Sequence, residues 1–183
     1  MNTFEDLSDG QKIDLLVGFY DINRFTAISK TQTPETVVSL LKGVGQITTE
    51  HIPASGGLIV KYIGDACLFA YPDELVDQAM RTLLELKTEL ERFFEEKGFG
   101  NTLTFSLHFG EVVALKIPPF DTWDIGGHAI NIVWSLDRGP YRGQFVITPQ
   151  VFRKLAPATR KLFHKHTPPI VYLSERSTKD SAS

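Results

Sequence analysis

The chain has 183 residues, of which 42% are apolar and 22% are charged. This length suffices for one domain with a hydrophobic core, and the composition is that of a globular protein rather than a disordered one. A formal net charge of -3 leaves no broad basic surface, so we expect neither a nucleic-acid partner nor an anionic membrane partner. The single cysteine, Cys67, excludes an intramolecular disulfide and a zinc site built from cysteines.

The amino terminus is polar and acidic, and it lacks the apolar stretch of a signal peptide. No apolar run elsewhere reaches the length of a membrane span. We therefore expect a cytoplasmic protein. We also expect a single domain over residues 1–173, followed by a flexible tail over residues 174–183.

Residues 13–20 form a short apolar run that ends at Asp21. Such a run predicts a strand that is buried on both faces. Thr33 is typical of the cap of a helix and Pro34 of its first position. Apolar residues at helical spacing then continue to about Ile52. The sequence therefore predicts one strand followed by one amphipathic helix.

A pair of apolar runs follows, over residues 58–63 and 66–71, separated only by Gly64 and Asp65. Two residues of this type between two strands predict a tight hairpin. We therefore expect Asp65 at the hairpin tip. Cys67 lies within the second run, and we expect it to be a buried small hydrophobe.

Asp73 is predicted to cap the longest helix, over residues 74–97, which ends at Gly98. The apolar residues of this helix recur at helical spacing and indicate a core-facing stripe. Residues 103–110 and 111–117 predict two further strands.

A short helix over residues 126–136 and a strand over residues 144–148 complete the predicted elements. The order β-α-β-β-α-β, with extra elements behind it, is typical of an α+β, ferredoxin-like fold. In that fold helices cover one face of an antiparallel sheet.

Asp21 and Asp65 are the candidate site residues, because each is expected where a neighbouring strand ends. Convergent carboxylates repel each other, and a bound divalent cation is the usual remedy. Two solvated turn aspartates are an equal alternative on these two residues alone.

Three segments resemble, in the same order, the motifs of the class III nucleotidyl cyclases. Residues 19–26 resemble the first metal motif, in which an aspartate follows an aromatic strand. Residues 61–65 resemble the second, with a lysine four residues before the aspartate. Residues 124–131 resemble the third, in which an aspartate and an asparagine lie seven residues apart. The resemblance covers roughly residues 13–155.

The resemblance implies an enzyme that converts a nucleoside triphosphate to a 3′,5′-cyclic nucleotide and pyrophosphate, with the class III cyclase fold. Two divalent metal ions, Mn²⁺ or Mg²⁺, would be bound by Asp21, Ile22 and Asp65. Further positions of the first motif would contact the substrate, and these are Phe19, Ile22, Asn23, Phe25 and Thr26. The enzyme would be a head-to-tail homodimer with its active sites in the interface.

Lys61 and Asp124 match the residues with which the family recognises the base, and Asn131 matches the residue that contacts the ribose. A lysine donor beside a carboxylate acceptor suits adenine, cytosine or, in reversed order, uracil. The pair therefore restricts the base without identifying it.

The chain departs from the family at Ser135, where an arginine four residues after the ribose asparagine normally stabilises charge on the α-phosphate. The loss of such a cation costs several kcal/mol of transition-state stabilisation. Arg24 in the first motif and Arg138, one helical turn after Ser135, are the predicted replacements. The segment before Asp124 is also shorter than the family's glycine-rich arm, so dimer packing is expected to differ there.

With these departures the chain is most similar to the pyrimidine cyclases of bacterial anti-phage Pycsar systems. The resemblance implies a uridylate or cytidylate cyclase, whose cyclic UMP or cyclic CMP is recognised by a separate effector protein. Two alternatives stay open. The retained Lys61 and Asp124 favour an adenylate cyclase, and Ser135 favours a degenerate module that binds nucleotide without turnover.

Overall fold

The computed structural model describes residues 7–117 and 122–174. Ser174, the first residue of the predicted tail, is instead the last residue of a strand, and residues 175–183 lie outside the described residues. Within the described ranges no helix is both long enough and apolar enough to cross a membrane.

Eight strands of the described chain form one sheet. They are β1 (Lys12–Ile22), β2 (Leu58–Ile63), β3 (Ala66–Pro72), β4 (Leu103–Lys116), β5 (Trp123–Gly126), β6 (Phe145–Ile147), β7 (Phe163–His166) and β8 (Val171–Ser174). Their order is β2-β3-β1-β4-β6-β8-β7, and β5 pairs with β4. The β4–β6 pair is parallel, whereas the other described pairs are antiparallel.

Six α-helices accompany the sheet in the described ranges. They are α1 (Phe25–Thr31), α2 (Pro34–His51), α3 (Val76–Glu96), α4 (His128–Asp137), α5 (Pro149–Lys154) and α6 (Pro157–Arg160). The predicted cap of α2 is present, because Oγ1 of Thr33 accepts a hydrogen bond from the backbone N–H of Thr36 at 3.3 Å. The chain follows the predicted β-α-β-β-α-β order through β1, α2, β2, β3, α3 and β4. The α+β class is therefore confirmed.

Strand β1 lies inside the sheet and is buried on both faces, as predicted. Leu16 and Tyr20 face the core that contains α2 and α3. Val17 and Phe19 face a second cluster that includes Val133 of α4. Helices therefore cover both faces of the sheet, whereas the ferredoxin-like prediction places them on one face. The difference arises because the apolar side of α4 packs on the face opposite α2 and α3.

The two strands predicted over residues 103–110 and 111–117 form a single strand, β4, of 14 residues. Gly110 does not interrupt it, because this glycine stays in the ladder opposite Leu15 of β1. The pairing with β1 therefore overrides the local turn preference of glycine.

Two predicted helix starts are wrong. Gly126 pairs with Val113 in the sheet, so the helix predicted from Gly126 begins at His128 as α4. Asp73 does not cap α3; it begins a short 3₁₀ turn ahead of that helix, and its carboxylate accepts a hydrogen bond from Nζ of Lys154 at 2.6 Å.

Candidate active site

Asp21 and Asp65 lie at the same end of two paired strands. In the β1–β3 register Tyr20 is opposite Cys67, and continuing this register brings the hairpin tip level with the end of β1. Both aspartates line one cavity of about 340 Å³. The other described lining residues are Ile22, Asn23, Arg24, Phe25, Thr26, Thr104, Asp137, Arg138 and Arg142.

The pKa of Asp21 lies above its ordinary value. Burial raises the pKa of Asp21 from 3.8 to about 6, and the carboxylates of Asp65 and Asp137 add to the rise. The guanidinium of Arg142 opposes it. Burial also raises the pKa of Asp65. The cavity therefore holds carboxylates that gain from a nearby positive charge.

Asp137, the last residue of α4, is a third carboxylate, and it lies outside the three sequence motifs. Its Oδ1 is buried and has no hydrogen-bond partner among the described residues. Burial raises the pKa of this side chain, and Arg138 and Arg142 oppose that rise. Its only sequence signal is its place at the end of a short helix.

The arginines of the cavity differ in their surroundings. All three arginines, Arg24, Arg138 and Arg142, are exposed. Arg24 has a left-handed φ of 64° at the start of α1. Arg138 lies over the ring of Trp134, with its guanidinium carbon 5.5 Å from the ring centre. Arg142, which lies outside the three sequence motifs, is the arginine whose charge lowers the pKa of Asp21.

The first motif is only partly available to a ligand. The backbone N–H of Asn23 donates to the carbonyl of Thr102 at 2.9 Å, so it is not free for a phosphate. Phe25 and Thr26 line the cavity at the first turn of α1. Phe19 is buried and stacks on Trp134 with ring centres 4.9 Å apart, and it is not among the described residues that line the cavity.

Lys61 and Asp124 form an ion pair. Nζ of Lys61 lies 2.5 Å from Oδ2 of Asp124, and Oδ1 of Asp124 accepts a hydrogen bond from the backbone N–H of Ile125 at 2.8 Å. Neither residue is among the described residues lining the aspartate cavity.

Asn131 and Ser135 lie on an exposed side of α4. The hydroxyl of Ser135 donates to the carbonyl of Asn131 at 2.8 Å. Both residues line a second cavity of about 310 Å³, and neither Asp21 nor Asp65 is among its described lining residues. The described cavity linings thus do not bring the carboxylates, the ion pair and the asparagine together in one cavity.

Within residues 7–117 and 122–174 no group of three or more His, Cys, Asp or Glu side chains is arranged to hold a metal ion by itself. Two carboxylates lining a polar cavity nevertheless suit Mg²⁺ or Mn²⁺, which prefer oxygen ligands. Mg²⁺ in particular binds through one or two carboxylates together with waters and substrate phosphates. The residues present therefore fit a cation that arrives with a phosphate ligand.

A family model for the adenylate and guanylate cyclase catalytic domain matches residues 10–177. The chain is 26% identical over 148 residues to an uncharacterized protein of Mycobacterium tuberculosis, covering 81% of this chain and 36% of that protein. It is 25% identical over 150 residues to an adenylate cyclase of Anabaena cylindrica, covering 75% of this chain and 30% of that protein. The chain spans about a third of the length of these relatives.

Solved structures share the fold. A bacterial light-regulated adenylyl cyclase matches with a TM-score of 0.77 at 21% identity, covering 92% of this chain and 53% of that one. The adenylyl cyclase CyaB from P. aeruginosa matches with a TM-score of 0.77 at 16% identity, covering 93% and 97% of the two chains. Because the family model spans most of the sequence, the chain belongs to the family of adenylate and guanylate cyclase catalytic domains.

Proposed function

We propose that this chain is the catalytic domain of an active nucleotidyl cyclase, which converts a nucleoside triphosphate to a 3′,5′-cyclic nucleotide and pyrophosphate. The observation that carries the proposal is the convergence of Asp21 and Asp65 on one cavity that Arg142 also lines. Family membership supplies the reaction class, and the cavity supplies the charges that this reaction needs.

Two divalent cations, Mn²⁺ or Mg²⁺, would be held by Asp21, Ile22 and Asp65. The charge of Asp65 supports this, because it raises the pKa of Asp21 and a bound cation would remove that repulsion. When bound, the cations would lower the cost of deprotonating the ribose 3′-hydroxyl and would screen the triphosphate as pyrophosphate leaves.

The chain's own residues bind and orient the triphosphate. The first turn of a helix leaves N–H groups without intrahelical partners, and Phe25 and Thr26 present such a turn to the cavity. Arg24 and Arg142 add positive charge along the cavity wall. An in-line displacement requires mainly this positioning and neutralisation of charge.

A homodimer would complete the site. Lys61, Asp124 and Asn131 are not among the described residues that line the aspartate cavity, which supports a site in which a second copy supplies the contacts to the base and the ribose. In a head-to-tail dimer the second copy would place these residues opposite the first copy's aspartates. A monomer would then be inactive.

We propose that the substrate base is uracil or cytosine, so that the product is cyclic UMP or cyclic CMP. We also propose that the enzyme works in the cytoplasm and that a separate effector protein recognises the product in anti-phage defence. The proposal of a pyrimidine base is supported by two departures from the family pattern, which are Ser135 and the short segment before Asp124. Adenine is the second candidate, because a relative is named adenylate cyclase and Lys61 still pairs with Asp124. A nucleotide-binding module without turnover is the third.

Incubation of the purified protein with each of the four ribonucleoside triphosphates and Mn²⁺ tests these proposals. Cyclic UMP or cyclic CMP with pyrophosphate is the expected product, and cyclic AMP alone would contradict the pyrimidine proposal. Triphosphate binding without product would support the third candidate.

The carboxylates have a matched control on the same strand. Asp21→Asn and Asp65→Asn are expected to abolish turnover and to weaken Mn²⁺ binding measured by calorimetry. Asp14→Asn changes an exposed carboxylate of β1 that does not line the cavity, and it should retain both. Full activity of Asp21→Asn would refute the metal-site assignment.

A further inference from the structure

The hydroxyl of Thr104 joins two walls of the cavity. Thr104 lies on β4 and is 1% exposed. Its Oγ1 donates to Oδ1 of Asn23 at 3.2 Å and accepts from the backbone N–H of Gly143 at 3.1 Å. Asn23 follows the strand of Asp21, and Gly143 follows Arg142 directly. One buried hydroxyl therefore connects the loop after the aspartate to the segment that carries the arginine.

Arg142 lies in a tight turn. The backbone N–H of Gln144 donates to the carbonyl of Tyr141 at 3.0 Å, and the carbonyl of Gln144 accepts from the N–H of Phe105 at 2.9 Å. Gly143 has a φ of 75°, which is typical of the third residue of a type II turn. Arg142 is therefore the second residue of a turn whose backbone is anchored on the sheet.

The other partner, Asn23, is equally fixed. Its side-chain Nδ2 donates to the carbonyl of Thr102 at 3.0 Å and to Oγ1 of Thr102 at 3.2 Å. Its backbone carbonyl accepts from Nδ2 of Asn101 at 2.7 Å. With Nδ2 engaged, Oδ1 is the atom directed at Thr104.

We propose, on the basis of the proposed cyclase function, that Thr104 is a positioning residue that holds Arg142 against the metal-binding aspartates so that its guanidinium meets the polyphosphate. Thr104 acts through Arg142 and does not touch the reacting atoms. A hydroxyl is required because it donates to one partner and accepts from the other. Serine meets this requirement, whereas valine and alanine do not. Such preorganisation matters because a cation that must first be reoriented loses much of its effect.

Steady-state kinetics of Thr104→Val and Thr104→Ser test the proposal in the wild-type and Arg142→Met backgrounds. Thr104→Val should raise KM for the triphosphate about tenfold, and Thr104→Ser should stay within about twofold of wild type. In the Arg142→Met background Thr104→Val should add little, because residues that act through one another are non-additive. A wild-type KM for Thr104→Val, or fully additive effects in the double variant, would overturn the proposal.

A binding measurement separates this proposal from the cyclase proposal. Calorimetry with Mn²⁺ and inorganic tripolyphosphate needs no turnover, and Thr104→Ala provides a second variant if valine prevents folding. The affinity should fall about tenfold in Thr104→Ala and persist in Thr104→Ser. If the wild type makes no cyclic nucleotide, the cyclase proposal fails, while this comparison still decides the role of Thr104. Equal affinities of wild type and Thr104→Ala, or no tripolyphosphate binding by the wild type, would overturn that role.

Discussion

Nζ of Lys61 lies 2.5 Å from Oδ2 of Asp124, although 63 residues separate them in the chain. Lys61 comes from the edge strand β2, and Asp124 from β5, which pairs with β4. The lysine and aspartate side chains are 42% and 17% exposed. Because the lysine end of the pair is solvated, we expect the pair to contribute only about 1 kcal/mol to stability, so its loss should be felt mainly in ligand binding.

Lys61→Met and Asp124→Asn are therefore expected to lower kcat/KM for the preferred triphosphate by about 10- to 100-fold, with little change in thermal midpoint. Asp124→Asn should also change the order of preference among bases, since an amide offers a donor that a carboxylate lacks. The exposed Lys12–Glu111 pair, at 3.0 Å, provides the control. Lys12→Met should leave kcat/KM unchanged, and an unchanged base preference in both pair variants would contradict the base-recognition role.

Arg142→Met should raise KM for the triphosphate about tenfold, because its guanidinium is the cation that acts on the charge of Asp21. Arg138→Met should have a smaller effect, since Arg138 lies over Trp134 and its charge acts on Asp137 instead. KM of the two purified variants, measured side by side at saturating Mn²⁺, checks this order. The reverse order would identify Arg138 as the main phosphate cation.

Asp21→Asn is expected to stabilise the metal-free protein at pH 7.5. The pKa of Asp21 is raised to about 6 in the folded state, so folding favours its protonated form, and stability is lost as pH rises from about 4 to 6. After allowance for solvent screening at this half-buried site, the substitution should raise the free energy of unfolding by about 1 kcal/mol. Urea unfolding in EDTA at several pH values measures it. The gain should vanish below about pH 4 and reverse when Mn²⁺ is added.

Gly18→Ala should destabilise the fold by about 2 kcal/mol. A Cβ at Gly18 would lie 2.1 Å from the ring of Phe69, which is fully buried and cannot move aside. Gly45→Ala in α2 is the matched control, because its nearest atom would be the Tyr62 hydroxyl at 3.9 Å. It should stabilise by about 0.5–1 kcal/mol through helix propensity. Urea unfolding of both variants measures the contrast.

The long elements could be predicted because their signals are local. The apolar stripe of α3 and the two-sided burial of β1 follow from periodicity alone, and Cys67 is buried as expected. The shorter elements could not be predicted. Helix α1 has seven residues and β5 has four, too few to display a period. Strand β5 exists because β4 offers it a partner, which the sequence of β5 itself does not encode.

The residues of the candidate site also fall into those that local sequence indicates and those that it does not. Asp21, Asp65 and Lys61 could be singled out because each lies in a short segment with characteristic neighbours. Asp137 and Arg142 could not, because neither lies in such a segment. Their role as neighbours of the aspartates depends on how α4 and the turn before β6 pack against the end of β1.

Local sequence by itself determined that Asp21 lies near the end of a buried strand and that Asp65 occupies a hairpin tip, because strand burial and turn chemistry depend on adjacent residues. Only the tertiary structure decided which charges surround them. Strand register and helix packing bring Thr104 and Arg142 to the same cavity from distant parts of the chain. The pKa of Asp21 depends on that arrangement, since burial and the charges of distant residues set it.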